Sequence, residues 1–158
     1  MALIAAGTRF PETALPDLEG AARPLADAWA QGPALLILGH RDCKTTRDAL
    51  PFVDRIHRRK DRAATALLIL QDDAKTAREL RAEMSLELPV RLETDPYPLF
   101  QRLGIETVPT LVLVGPDGRV QKVSEAFRRE DLEAFAEALG VAVPLFTPAD
   151  KAPALRPG

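Results

Sequence analysis

One cysteine, Cys43, serves the whole of a 158-residue chain. A single thiol cannot close a disulfide within its own chain, so any redox cycle has to take its second sulfur from another molecule. Histidine is nearly as scarce, and His40 and His57 together with Cys43 make no metal-ligand spacing, so neither a metal nor a bound cofactor is expected. An excess of one charge is also missing: 21 basic residues face 23 acidic ones, a formal net charge of -2, which gives no basic surplus for nucleic acid. No apolar run approaches the roughly 20 residues of a membrane helix, and residues 1–6 are too short and uncharged for a secretory signal, so the chain is read as cytoplasmic with no membrane partner.

What is present suits one soluble domain. With 46% hydrophobic and 28% charged residues the composition is that of an ordinary globular core under a solvated surface. Residues 7–25 carry Pro11, Pro16, Gly20 and Pro24 between scattered apolar side chains, a pattern for extended segments and a hairpin turn at Glu19-Gly20. The run 34–38 is continuously apolar between Gly32-Pro33 and Gly39, as in a central strand covered on both faces. From Lys44 to Arg59 the positions Ala49, Leu50, Val53 and Ile56 follow helical spacing, and Pro51 predicts a kink because it lacks a donor and crowds the carbonyl of Arg47.

The alternation continues with a strand over 64–70, a helix over 73–84 facing inward through Ala77, Leu80 and Met84, and a short strand over 89–92. A helix over 96–103 is expected to start on Asp95 as its cap, with Pro96 just inside and Gly104 closing it. Residues 110–114 and 119–123 flank the turn Gly115-Pro116-Asp117-Gly118 as an antiparallel hairpin, and Leu132, Phe135, Ala136 and Leu139 mark one face of a last helix. The fold class is therefore α/β, a central mixed sheet flanked by helices on both faces. Residues 1–140 form the domain with its N-terminal hairpin, and 141–158, with four prolines in eighteen residues, are expected to be an irregular tail.

Cys43 stands where the strand over 34–38 hands over to the helix through Gly39-His40-Arg41-Asp42. A thiol there faces unpaired backbone N–H groups and the positive end of the helix dipole, both of which favour the ionised, nucleophilic sulfur. Lys44 and Arg41 favour it further, the Asp42 carboxylate opposes it, and the balance is read as activation. The plainer reading of a lone cysteine is a small buried hydrophobe. Thr46 serves equally well as a first-turn residue bonded to backbone, and Asp42 as the helix N-cap. His40 is a low-ranked candidate base, and His57, in a basic run, is expected to be a solvated helix end.

Residues 42–51, DCKTTRDALP, resemble the active-site helix of thioredoxin-like proteins, especially the TlpA-type thiol-disulfide oxidoreductases and the related peroxiredoxins. Pro51 lies eight residues after Cys43, as the family's proline follows its first cysteine. Thr46 stands where the second cysteine of the Cys-x-x-Cys pair would be, and Asp42 where the tryptophan would be. Val108-Pro109-Thr110 resembles the cis-proline segment, and the opening around Gly7, Phe10, Leu15 and Gly20 resembles the N-terminal hairpin. The resemblance covers roughly residues 7–140 and implies a thioredoxin-like fold.

The departures limit the chemistry. Thr46 in place of the second thiol removes the intramolecular step that resolves a mixed disulfide. Ile37 stands where many thioredoxins keep a buried acid on the central strand. The remaining C-x-x-T arrangement implies a single-cysteine thiol-disulfide oxidoreductase or antioxidant-type protein, with Cys43 as nucleophile and the Thr46 hydroxyl donating to its thiolate. Its substrate would be a protein disulfide, a peroxide or a small thiol, and an external thiol reductant would complete the cycle. Asp42, Lys44, Val108 and Pro109 would line the substrate edge. The alternative is a non-catalytic binding module that holds an extended partner beside the cis-proline segment, and a third reading is a structural domain with an inert cysteine.

Overall fold

The computed structural model describes residues 2–142 and 144–158. Five strands form the central sheet in the order β5-β4-β3-β6-β7. They are β3 (Ala34–Gly39), β4 (Thr65–Leu70), β5 (Val90–Leu92), β6 (Thr110–Val114) and β7 (Val120–Glu125). The β3–β4 and β4–β5 pairs are parallel, and β6 and β7 run antiparallel, so the sheet is mixed as the change from crossover units to a hairpin requires. Strand β3 is central and all six of its residues are buried. Its side chains divide between two cores, with Leu35 and Ile37 packing on one face and Ala34, Leu36 and Leu38 on the other. The unbroken apolar run follows from this, since both faces of the strand are covered.

Helix α1 (Lys44–Arg59) runs through Pro51 without a break and buries Ala49, Leu50, Val53 and Ile56. Pro51 itself is exposed, so its ring sits on the solvent side. Helix α2 (Ala74–Met84) begins at Asp73, whose carboxylate accepts the Thr76 amide at 2.8 Å, and buries Ala77 and Leu80. The last helix, α4 (Arg129–Ala138), buries Leu132, Phe135 and Ala136. At the N-terminus β1 (Ala14–Pro16) and β2 (Ala22–Pro24) pair antiparallel around Gly20, whose φ of +87° is the left-handed turn that glycine adopts without strain.

Two expectations are corrected. The helix expected over 96–103 is the shorter α3 (Pro98–Arg102), and Asp95 does not cap it. The Asp95-Pro96 peptide is cis and Tyr97 takes the capping position at φ +56°. The first amides of the helix, those of Leu99 and Phe100, go instead to the buried Glu93 carboxylate at 2.8 and 3.1 Å. The tail is not irregular throughout. Leu145 and Phe146 are buried in the core, Pro148–Asp150 make a 3-10 turn, and β9 (Leu155–Arg156) pairs antiparallel with β8 (Phe127–Arg128). Phe146 supplies the anchoring surface, with its ring 4.4 Å from Phe52 and 6.2 Å from Phe127, centroid to centroid.

Candidate functional site

Strand β3 ends at Gly39 and the chain turns through 40–42 into α1, which places Cys43 at the head of the helix. Cys43 is itself the N-cap, at φ −81° and ψ 115°, and Asp42 is an exposed residue of the preceding turn. This corrects the expected cap: the cysteine carbonyl accepts the Arg47 amide at 3.2 Å, and Sγ accepts the Thr46 amide at 3.4 Å, in the way a serine or aspartate cap would. The thiol is half-buried and donates to the Val108 carbonyl at 3.4 Å. Sulfur thus sits between the first turn of α1 and the Val108-Pro109 peptide, which is cis.

The cis-proline loop is held on both sides. Thr110 Oγ1 donates to the Thr107 carbonyl at 2.7 Å, and the Pro109 carbonyl accepts the Ala126 amide at 2.8 Å. Pro109 is buried and Val108 half-buried. The fold therefore brings Cys43, Thr46, Val108 and Pro109 together. It directs Lys44 elsewhere, for the ammonium is exposed and bonds to the Asp48 carboxylate at 3.0 Å. His40 supplies neither of the two hydrogen bonds at Sγ.

Thr46 reaches the sulfur through its main chain and not through its hydroxyl. Its side chain is fully buried, Oγ1 has no hydrogen-bond partner, and it packs on Gly39. A Cβ added at Gly39 would stand 2.7 Å from Thr46 Oγ1 and 2.9 Å from its methyl, so the strand end needs glycine for this contact. His57 is likewise not a freely solvated helix end. It is half-buried, Nδ1 is buried without a partner, and burial lowers its pKa from the usual imidazole value.

Sequence reading misses two contacts beside the site. Thr45 is buried and donates its hydroxyl to the Pro157 carbonyl, and Asp48 accepts from Arg156 Nε at 3.3 Å. These contacts span more than a hundred residues, and nothing in the local spacing signals them. Chemically, the site offers a half-exposed sulfur with one amide donor on it, a flat backbone edge beside it, and no second sulfur. Among the described residues no group of three or more His, Cys, Asp or Glu side chains is placed to hold a metal ion, and no helix is long and apolar enough to cross a membrane.

No protein-family model and no curated protein matches the chain. Solved structures do. The thioredoxin domain of a thiol-disulfide oxidoreductase from Bacteroides vulgatus is 20% identical, with a TM-score of 0.75 over 85% of this chain and 96% of that one. A secreted disulfide oxidoreductase of Mycobacterium tuberculosis, homologous to E. coli DsbE, is 18% identical with a TM-score of 0.68, covering 80% of this chain and 95% of its own. The peroxidoxin BcpB, also of M. tuberculosis, is 15% identical with a TM-score of 0.68, covering 85% of this chain and 94% of its own. At such identities it is the architecture that is shared, and with the mixed sheet, the cysteine at the head of α1 and the cis-proline loop opposite, the chain has the thioredoxin-like fold.

Proposed function

We propose that this protein is a single-cysteine thiol-disulfide oxidoreductase or antioxidant-type protein, in which Cys43 is the nucleophile and an external thiol restores it. The observation that carries the reading is the position of Sγ, which receives the Thr46 amide at the head of α1 and faces Val108 across the groove. The Thr46 amide and the head of α1 place donors on the sulfur, and the Val108 carbonyl places an acceptor on its other side, so the sulfur sits between the helix start and the backbone edge that a substrate would approach. In the disulfide reaction the thiolate attacks one sulfur of the substrate, the substrate S–S bond breaks, and the departing thiolate takes a proton from solvent. A second thiolate, from an external small thiol, then attacks the substrate sulfur of the mixed disulfide. That step leaves Cys43 reduced and the external sulfur disulfide-bonded to the substrate. With a hydroperoxide the sulfur takes one oxygen as the O–O bond breaks, and two external thiols return the sulfenic acid to the thiol with loss of water.

Cys43→Ser is the test. The unmodified protein, incubated with oxidised glutathione, is expected to gain one glutathione on Cys43 by intact mass and to lose it again on addition of excess reduced glutathione. The serine variant should gain none. A wild-type protein that takes up no glutathione and shows no peroxide-dependent sulfenic acid would end the redox reading. The proposed setting is the cytoplasm, where a thiol pool is at hand to complete the cycle.

A second reading, a non-catalytic binding module, is favoured by one observation: the groove beside Val108 already has an extended segment of chain against it, including the Pro157 carbonyl that Thr45 holds. A binding module would capture an extended partner equally well with Cys43→Ser, whereas covalent trapping would disappear.

A further inference from the structure

The tail has a fixed root and a lightly held tip. At the root Leu145 and Phe146 are buried, and the Arg55 guanidinium grips Asp150 through two bonds of 2.8 and 3.0 Å. That pairing, with the Thr147 amide on the same carboxylate, holds Asp150 well below the usual carboxylate range. After Lys151, which turns the chain at φ +51°, the segment crosses the head of α1. The Ala154 carbonyl accepts the Arg129 amide at 3.0 Å, and Leu155 and Arg156 add to the edge of β8. Arg156 meets Asp48, Thr45 Oγ1 meets the Pro157 carbonyl, and Gly158 lies flush on the cis-proline loop. A Cβ on Gly158 would stand 2.4 Å from the Val108 carbonyl oxygen, the same oxygen that accepts from Cys43 Sγ.

Apolar burial is not what keeps the tip in place. Leu155 is 52% exposed, and Arg156, Pro157 and Gly158 are exposed as well. Beside Arg156 the segment leaves an open pocket of about 140 Å³ against α1, bordered by Asp48, Phe52, Phe127, Asp150 and Pro153. A segment held by a few main-chain bonds, the Thr45 hydroxyl and one partly exposed ion pair is exchangeable against another extended segment offering the same groups.

Taking Cys43 and the Val108 edge as the reactive site, as proposed above, we propose that residues 153–158 are a strap that occupies this groove in cis. The segment that displaces the strap would be an extended polypeptide whose basic residue takes the place of Arg156 on Asp48. Nothing covalent is involved: the docked strap narrows the approach to the half-exposed sulfur along the Val108 edge, and the detached strap leaves that approach open.

The test is the rate at which iodoacetamide alkylates Cys43, followed by intact mass. A chain ending at Ala152 is expected to react about five-fold or more faster than the full chain, because a site open for a fraction of the time reacts in proportion to that fraction. A synthetic peptide of residues 152–158 added at millimolar concentration should slow the truncated protein again, and the same peptide with Arg156→Glu should not. Full-length Arg156→Glu, with an unchanged melting temperature, should also react faster, which guards against a truncated chain that fails to fold. Equal rates for the truncated and full chains, or equal protection by both peptides, would overturn the strap. The redox reading fails separately: a truncated protein that alkylates faster yet takes no glutathione from oxidised glutathione keeps the strap and loses the enzyme.

Discussion

Cys43 and Thr46 meet through a backbone amide, so the two side chains answer differently to substitution. Removing the thiol removes the proposed nucleophile. Removing the Thr46 hydroxyl removes a buried oxygen with no partner, whose desolvation is of the kind that costs about 1–3 kcal/mol. Thr46→Val, nearly the same in shape, is expected to keep the Cys43 alkylation rate within about two-fold, because the donor to Sγ is the main chain, and to leave the melting temperature unchanged or higher. His57 sets a pH dependence. Burial pushes its imidazole down, the charges of Lys60 and Arg58 push the same way, and Asp54 and Glu87 oppose them. A histidine lowered in the folded state binds its proton more readily in the unfolded chain. Its contribution is therefore complete above the unfolded value of about 6.5 and declines as pH falls through that value towards the lower folded one. Thermal melts at about pH 8 and about pH 5.5 should differ less for His57→Gln than for the unmodified protein.

At the scale of elements, the junction of β3 and α1 is a close contact near the site. Gly39 accepts the packed Thr46 side chain only because it has no Cβ. Gly39→Ala forces either the strand end or the first turn of α1 to move, at about 1–3 kcal/mol, and urea denaturation is expected to show that loss together with an altered Cys43 alkylation rate. The helices were legible from their apolar spacing. The start of α3 was not, because its cap is not local in kind: a buried glutamate on the preceding segment, Glu93, does the work that the sequence assigned to Asp95. A sequence shows that a carboxylate is near a helix start but not which one turns inward. For the same reason Cys43 itself, and not Asp42, caps α1.

Across the whole molecule, two cores share one sheet. Leu36 and Ile37 are neighbours in sequence and point to opposite faces, and both are fully buried. Leu36→Ala and Ile37→Ala are each expected to cost about 2–5 kcal/mol by urea denaturation; in a sheet with one solvated face only one of the pair would be costly. The tail links the scales. Its root is part of the core through Phe146, while Gly158 reaches the cis-proline loop, so a segment read as an irregular appendage is in contact with the end of the domain that carries Cys43.

The sequence by itself determined the order and type of the main elements, the central position of 34–38, the corner at which Cys43 sits, and the absence of a second thiol. Those are local properties, written in apolar period, in turn residues and in a count of cysteines. Only the tertiary structure decided which atom of Thr46 meets the sulfur, that Glu93 caps α3, that His57 is half-buried, and that Gly158 lies against Val108. Each depends on how a side chain or a distant strand turns once the sheet is covered, and contacts more than a hundred residues apart, such as Thr45 with Pro157, leave no periodic trace in the chain.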